Sequence, residues 1–340
     1  MNIFPSPEQQ LNPFQFYADM RHNNPVAYDN RNNVWGVFRY YDAQFILGDY
    51  THFSSNPPPP SPKSDNLPNQ GKEQKMPFTR PSLLKSDPPY HRMLRAVIAS
   101  AFTPMAISKL EPRIESITHD LVNQVIQKGN MDLINDLAYP LPVTVIAEFL
   151  GVPVQDRNIF RGWADKLVSS AGSQLNEEQH ASAKNLFQMQ TEMDDYFNAI
   201  IDKRTIAPQS DLISGLIKAE ADGHRLSREE ILAFCTLLLL AGHVTTVNLI
   251  GNTVLSLLQN PQEFRKLKEE DNLSTSPLIP STIEETLRYR SPVQAVFRTT
   301  KEQVTIGESQ KIPPGQGIVV WLGSARHYLF NVLVSMHIIT

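Results

Sequence analysis

A chain of 340 residues that is 41% hydrophobic can bury a large core, and with 19% charged residues it is no disordered polyelectrolyte. Its 31 Lys and Arg against 35 Asp and Glu leave a net charge of -4, which excludes the basic footprint expected for nucleic acid or an anionic membrane surface. The single cysteine, Cys235, excludes an internal disulfide and suits a reducing cytoplasm.

From the N-terminus, MNIFPSPEQQ lacks a basic stretch followed by an apolar core, so no secretory leader is expected. Pro25–Tyr28 and Val34–Tyr40 read as an early β-hairpin. Asn56–Ser82, with Pro57 to Pro60 and then mixed Lys, Ser, Asn and Gln, reads as a long irregular loop, either a solvated linker or a cover over a binding site. Asp87 can cap a helix that begins at Pro88. Thr103-Pro104 and Asn260-Pro261 carry the same signal, a capping residue before a first-turn proline. Leu110, Ile114, Ile117, Leu121, Val125 and Ile126 recur at helical spacing and stop at Gly129. Ser227 with Glu230 forms a capping box for a long apolar helix expected over about 228–259. Gln303–Ile306 and Gly317–Leu322 read as a late hairpin. The fold class is therefore mainly α with a small β-sheet region. The most apolar run, Ile231–Gly242, and the tail Tyr328–Ile339 are shorter than the ~20 residues that span a bilayer, so no membrane is expected.

Three constellations carry chemistry. His91 and Arg95, four apart, share a helix face and can hold carboxylates or phosphates, or form an ordinary polar face. Ala241-Gly242-His243-Val244-Thr245-Thr246 places a glycine and two β-branched residues mid-helix. Glycine there costs up to ~1 kcal/mol, and threonine hydroxyls can bond back to carbonyls. Such a helix either opens beside a ligand or packs closely at Gly242. Glu285 and Arg288, three apart, can pair on a helix.

In order and spacing these motifs resemble the cytochrome P-450 family, in its soluble bacterial branch. The resemblance runs from about residue 10 to Ala325. It rests on the DPPxHxxxR pattern at 87–95, LPVTVIAEFLGVP at 141–153 and AGxxTT at 241–246. ExxR at 285–288, RYRSPV after it, Arg298, and IPPGQGIVVWLGSA at 312–325 complete it. The resemblance implies a haem-thiolate monooxygenase that hydroxylates an apolar small molecule with O2 and electrons from a separate ferredoxin or flavodoxin. It implies haem b held at its propionates by His91, Arg95 and Arg298. Ala241 and Gly242 would form the groove over the haem, and Thr245 would steer protons. Leu237, Leu240 and Val296 would line the substrate pocket, with 56–82 overlying it. Glu285 and Arg288 would form a buried ion pair.

Two departures stand out. Val244 occupies a position where the family usually has Asp or Glu, and valine relays no proton. After GSA at 323–325 the sequence no longer resembles the family, and no cysteine follows. Residues 1–325 therefore read as a partial haem domain, incomplete at the C-terminus, and 326–340 as an unrelated tail of a frameshift or truncation. Cys235 lies seven residues before Gly242 on the oxygen side of the haem, so it reads as a small buried residue and not as the axial ligand. His327 and His337 are not assigned to iron, and no metal ligand is assigned. The chain is expected to be inactive, or to serve as a helical scaffold for haem or a hydrophobic ligand.

Overall fold

Val26–Asp29 and Val34–Val37 pair antiparallel, as the early hairpin predicts. The second strand ends before Tyr40, which opens the helix Tyr40–Gly48 instead. The turn is held by buried Asp29, which accepts hydrogen bonds from the backbone N–H of Arg31 (2.9 Å) and from the side-chain amide of Asn32 (3.0 Å). This computed structural model describes residues 1–56, 80–172, 179–270 and 272–329. The expected loop at 56–82 is thus described only at its ends, and the expected tail only as far as Leu329.

The chain divides into two units, Met1–Asn69 with Asn252–Thr340, and Gln70–Gly251. The first holds a five-stranded sheet in the order Val26–Asp29, Val34–Val37, Gly317–Val320, Val296–Thr300, Phe53–Ser54. Its core is built from alternate strand residues such as Val37, Ile318 and Val320. Phe38 and Trp321 stack in a satellite cluster with ring centroids 6.0 Å apart.

The late hairpin is not the one expected. Val304–Ile306 pairs with Gln310–Ile312. Gly317–Val320 lies instead parallel to Val34–Val37 and antiparallel to Val296–Thr300. Gly307, at φ +63°, allows the tight turn that closes the nearer pair, a local connection that wins over the longer one.

The second unit is helical around a core that includes Leu94, Val97, Phe160, Trp163, Phe197 and Leu239. Helix Glu111–Ile126 follows the predicted apolar spacing. The helix expected from Pro88 starts later, at Tyr90, and runs to Ala101. A proline at 89 disfavours helical backbone at 88 and delays the start. Helix Pro140–Leu150 ends at Gly151, whose φ is +81° and where a Cβ would lie 2.2 Å from Asp211 Oδ2, so only glycine fits. The long helix spans Arg228–Gln259, 32 residues without a break. Its capping box forms, with Glu230 N–H donating to Ser227 Oγ (3.3 Å) and Ser227 N–H to Glu230 Oε2 (2.6 Å). Asn260 does not cap helix Pro261–Lys268 with its side chain, which donates to the Ser256 carbonyl (2.8 Å).

The apolar character of the long helix extends past Gly242. By length and composition Arg228–Gln259 and Leu133–Leu150 are each long and apolar enough to cross a membrane, contrary to the short run read from the sequence. In the structure the first of these buries Ile231, Leu232, Phe234, Cys235, Leu239 and His243.

Candidate functional site

The long helix carries two different faces. Residues 237, 240, 241, 244 and 245 recur at i, i+3, i+4, i+7 and i+8, so Leu237, Leu240, Ala241, Val244 and Thr245 form one stripe, and all five are half-buried. Cys235, Leu239 and His243 form the core stripe, at 0%, 0% and 1% exposure.

Gly242 falls on the closed side. A Cβ there would meet Ile146 Cδ1 at 2.9 Å, so the glycine serves close packing against helix Pro140–Leu150. The helix therefore does not open at its midpoint. Thr245 Oγ1 donates to the Ala241 carbonyl at 2.6 Å and Thr246 Oγ1 to that of Gly242 at 2.8 Å. Both are the back-bonding that threonine makes inside an intact helix.

His91 and Arg95 lie one turn apart on Tyr90–Ala101, whose opposite face buries Leu94, Val97 and Ile98. His91 is half-buried and Arg95 is exposed. Arg298 and Val296 lie in the other unit, two apart on one strand and so on one face. Val296 packs against that unit's core, and Arg298 Nη1 donates to the Phe297 carbonyl (2.8 Å). In the same unit Arg288 and Glu285 form a bidentate pair at 2.6 and 2.7 Å. That pair is not buried, because Glu285 is 61% exposed. Among the described residues little covers this face of the helix, which leaves the carboxylate in water.

Cys235 is fully buried, and desolvation pushes its thiol far above the ordinary range. It behaves as the small core residue expected of it. The sequence reading passed over His243. Among the described residues neither of its ring nitrogens finds a hydrogen-bond partner. Its ring meets Tyr139 edge-on at 4.5 Å, and the Tyr139 hydroxyl donates to Asp165. Burial lowers the His243 pKa, with the Asp165 charge acting in the opposite sense. The spacing 235, 239, 243 was the available signal, since it places the histidine on the core stripe.

The family model for cytochrome P450 matches residues 10–328, and the chain belongs to that family. It is similar to cytochrome P450 109 of Bacillus spizizenii, 37% identical over 322 residues, covering 94% of this chain and 73% of that protein. It is 37% identical over 307 residues to the erythromycin C-12 hydroxylase of Saccharopolyspora erythraea, covering 90% of this chain and 72% of that one. The crystal structure of substrate-free CYP109E1 from Bacillus megaterium superposes with TM-score 0.82 at 39% identity, covering 96% of this chain and 81% of that one. The same protein in complex with testosterone gives TM-score 0.79 at 36% identity, covering 96% and 80%. The family's activity is that of a haem monooxygenase, an oxidoreductase acting on small molecules.

Proposed function

We propose that this chain is built to hold haem b and to bring an apolar small molecule to it, with O2 as oxidant and electrons from a separate ferredoxin- or flavodoxin-type donor in the cytoplasm. In this reading His91, Arg95 and Arg298 hold the propionates by charge-assisted hydrogen bonds. Ala241 takes the haem's oxygen side, Gly242 behind it lets the helix sit close on Ile146, and Leu237, Leu240 and Val296 wall the substrate pocket. Thr245 Oγ1 is committed as a donor to Ala241, but its oxygen keeps the capacity to accept a proton-bearing group. Glu285 and Arg288 brace their helix. Haem, when bound, supplies the oxygen-activating iron. CYP109E1 was crystallised with testosterone and with corticosterone, so apolar molecules of steroid size are the first substrates to try here.

The observation that carries this reading is the half-buried stripe Leu237, Leu240, Ala241, Thr245 on the long helix, apolar and small where a flat ring would lie. By its chemistry the donor set His91, Arg95 and Arg298 suits two carboxylates. It does not fit an iron thiolate. Cys235 is the single cysteine and sits on the core stripe, wholly buried. These 340 residues by themselves are therefore inactive in oxygen insertion and serve at most as a scaffold for haem or an apolar ligand. Haem reconstitution of the purified chain, followed by reduction and addition of carbon monoxide, tests this. The expected spectrum lacks the thiolate-type Soret shift, with Cys235→Ala identical. A thiolate-type shift that Cys235→Ala abolishes would overturn the reading.

A further inference from the structure

In the helical unit a cavity of about 850 Å3 opens beside Tyr90, at the start of its helix, and the first turn of Arg228–Gln259. The helix Gln179–Ile206 supplies its other wall. None of the described residues that line it comes from the stripe of Leu237 to Thr245. Tyr90 and Phe187 line it with aromatic rings, and with them stand Asp194, Glu229, Glu230 and the guanidinium of Arg80, which pairs with Asp194 and Glu229.

The partners of these groups decide what the cavity can bind. Arg80 is engaged by Asp194 through two hydrogen bonds of 2.7 and 2.6 Å, and its Nε lies 3.1 Å from Glu229. Glu230 accepts from the Tyr90 hydroxyl at 2.6 Å and from the Ser227 N–H at 2.6 Å. Burial works against its charge, but these hydrogen bonds and the imidazole of His224, 3.7 Å away, hold its carboxyl below the usual range, so it stays ionised. Glu229 is 74% exposed and shares the one cation with Asp194. Among the described lining residues three carboxylates thus stand against one guanidinium, beside the rings of Tyr90 and Phe187 and with His224 next to Glu230 outside the lining.

An anion entering here meets carboxylates. A neutral apolar molecule strips their water and returns nothing. A cation with an apolar body gains from both the carboxylates and the aromatic rings. We infer that this cavity is a second ligand site, distinct from the stripe on the long helix, and that it takes an organic cation of the alkylammonium class. Haem plays no part in it, so it stands or falls separately from the monooxygenase reading.

Calorimetric titration of the full chain with choline, and with its uncharged isostere 3,3-dimethylbutan-1-ol, tests the inference. Choline is expected to bind at least about tenfold more tightly than the isostere, a difference of about 1.4 kcal/mol. Glu229→Gln and Phe187→Ala are each expected to weaken choline about threefold or more. Glu229 is exposed, so its variant keeps the fold, which an unchanged thermal melt confirms. Equal affinity for the two probes, no binding of choline, or choline affinity untouched by Glu229→Gln would overturn it.

Discussion

Thr245 donates its hydroxyl to the carbonyl of Ala241, 2.6 Å away and one turn earlier in the same unbroken helix. The hydroxyl proton is thus spent on its own helix, and removing it loses a bond that water or the ladder readily replaces. Thr245→Ala also gains helix propensity of about 0.5 kcal/mol. The expected outcome in urea unfolding is stability unchanged or raised by up to ~0.5 kcal/mol. A loss above about 2 kcal/mol would show that Thr245 holds the core together and is not kept for a site.

Glu285 and Arg288 pair bidentately, yet Glu285 is 61% exposed. A buried pair would cost roughly 3–5 kcal/mol when halved. An exposed one contributes about 0–1 kcal/mol and is screened by salt. Glu285→Gln is therefore expected to cost less than about 1 kcal/mol in denaturant unfolding, and less again in 1 M salt.

The sequence marked the helices at 110–126 and 228–259, because the 3.6-residue period and the capping box of Ser227 with Glu230 are local signals, but not Phe14–Asn23 or Tyr40–Gly48, which carry neither signal clearly. It also placed Ala241, Thr245, Leu237 and Leu240 on one helix, and their common stripe follows from spacing alone. The partner of Gly317–Val320 was hidden. Its neighbour Val34–Val37 is far away in sequence, and local alternation says nothing of which strand comes alongside. The exposure of Glu285 was hidden for a similar reason, since an i, i+3 pair looks the same whether or not something covers it. The role of Gly242 rested on Ile146, a contact between separate helices that no motif encodes. The burial of His243 was hidden because no motif marks a histidine as core, and only its spacing with Cys235 and Leu239 hints at it.

Cys235 is wholly buried, and desolvation raises its thiol well above the ordinary range. Reaction with an aromatic disulfide needs the thiolate and access to it. In native buffer at pH 8 the chain is expected to release essentially no chromophore, and one equivalent per chain in denaturant. Rapid labelling without denaturant would place the sulfur at a surface and would reopen it as a ligand.

His243 is buried with both ring nitrogens unpartnered among the described residues, and desolvation lowers its pKa despite Asp165. A base whose folded pKa lies below its unfolded value of ~6.5 leaves the folded state short of protons as pH falls. Its effect on stability is therefore nil above pH ~6.5, becomes destabilising below that, and levels off once pH passes the folded pKa. His243→Phe should remove that component, so the stability difference between variant and parent grows as pH drops below ~6.5. Relieving two buried unpaired nitrogens should also make the variant at least as stable as the parent at pH 8. A pH-independent difference would mean that His243 is partnered in solution. His327, which burial also depresses, is common to both proteins and cancels in the comparison.

Gly242 and Ile146 set a sharper test, because two opposing terms of similar size meet there. A Cβ at 242 would stand 2.9 Å from Ile146 Cδ1 and 3.6 Å from Cγ1. The closer atom is the tip of a side chain that can turn, so the clash is relieved by a rotamer change and not by moving the helix. Against that strain, alanine gains about 1 kcal/mol of propensity over glycine in a helix interior. Gly242→Ala alone is expected to lie within about 1 kcal/mol of the parent, since the two terms offset. Ile146→Val deletes the clashing methyl and alone costs about 0.5–1.5 kcal/mol. In that background the alanine fills the space just vacated, so the double variant should be more stable than the sum of the singles by about 0.5 kcal/mol or more. Strict additivity in urea unfolding would mean that the two helices do not meet at Gly242. The assignment of this glycine to close packing, and not to a gap in the helix, would then fail.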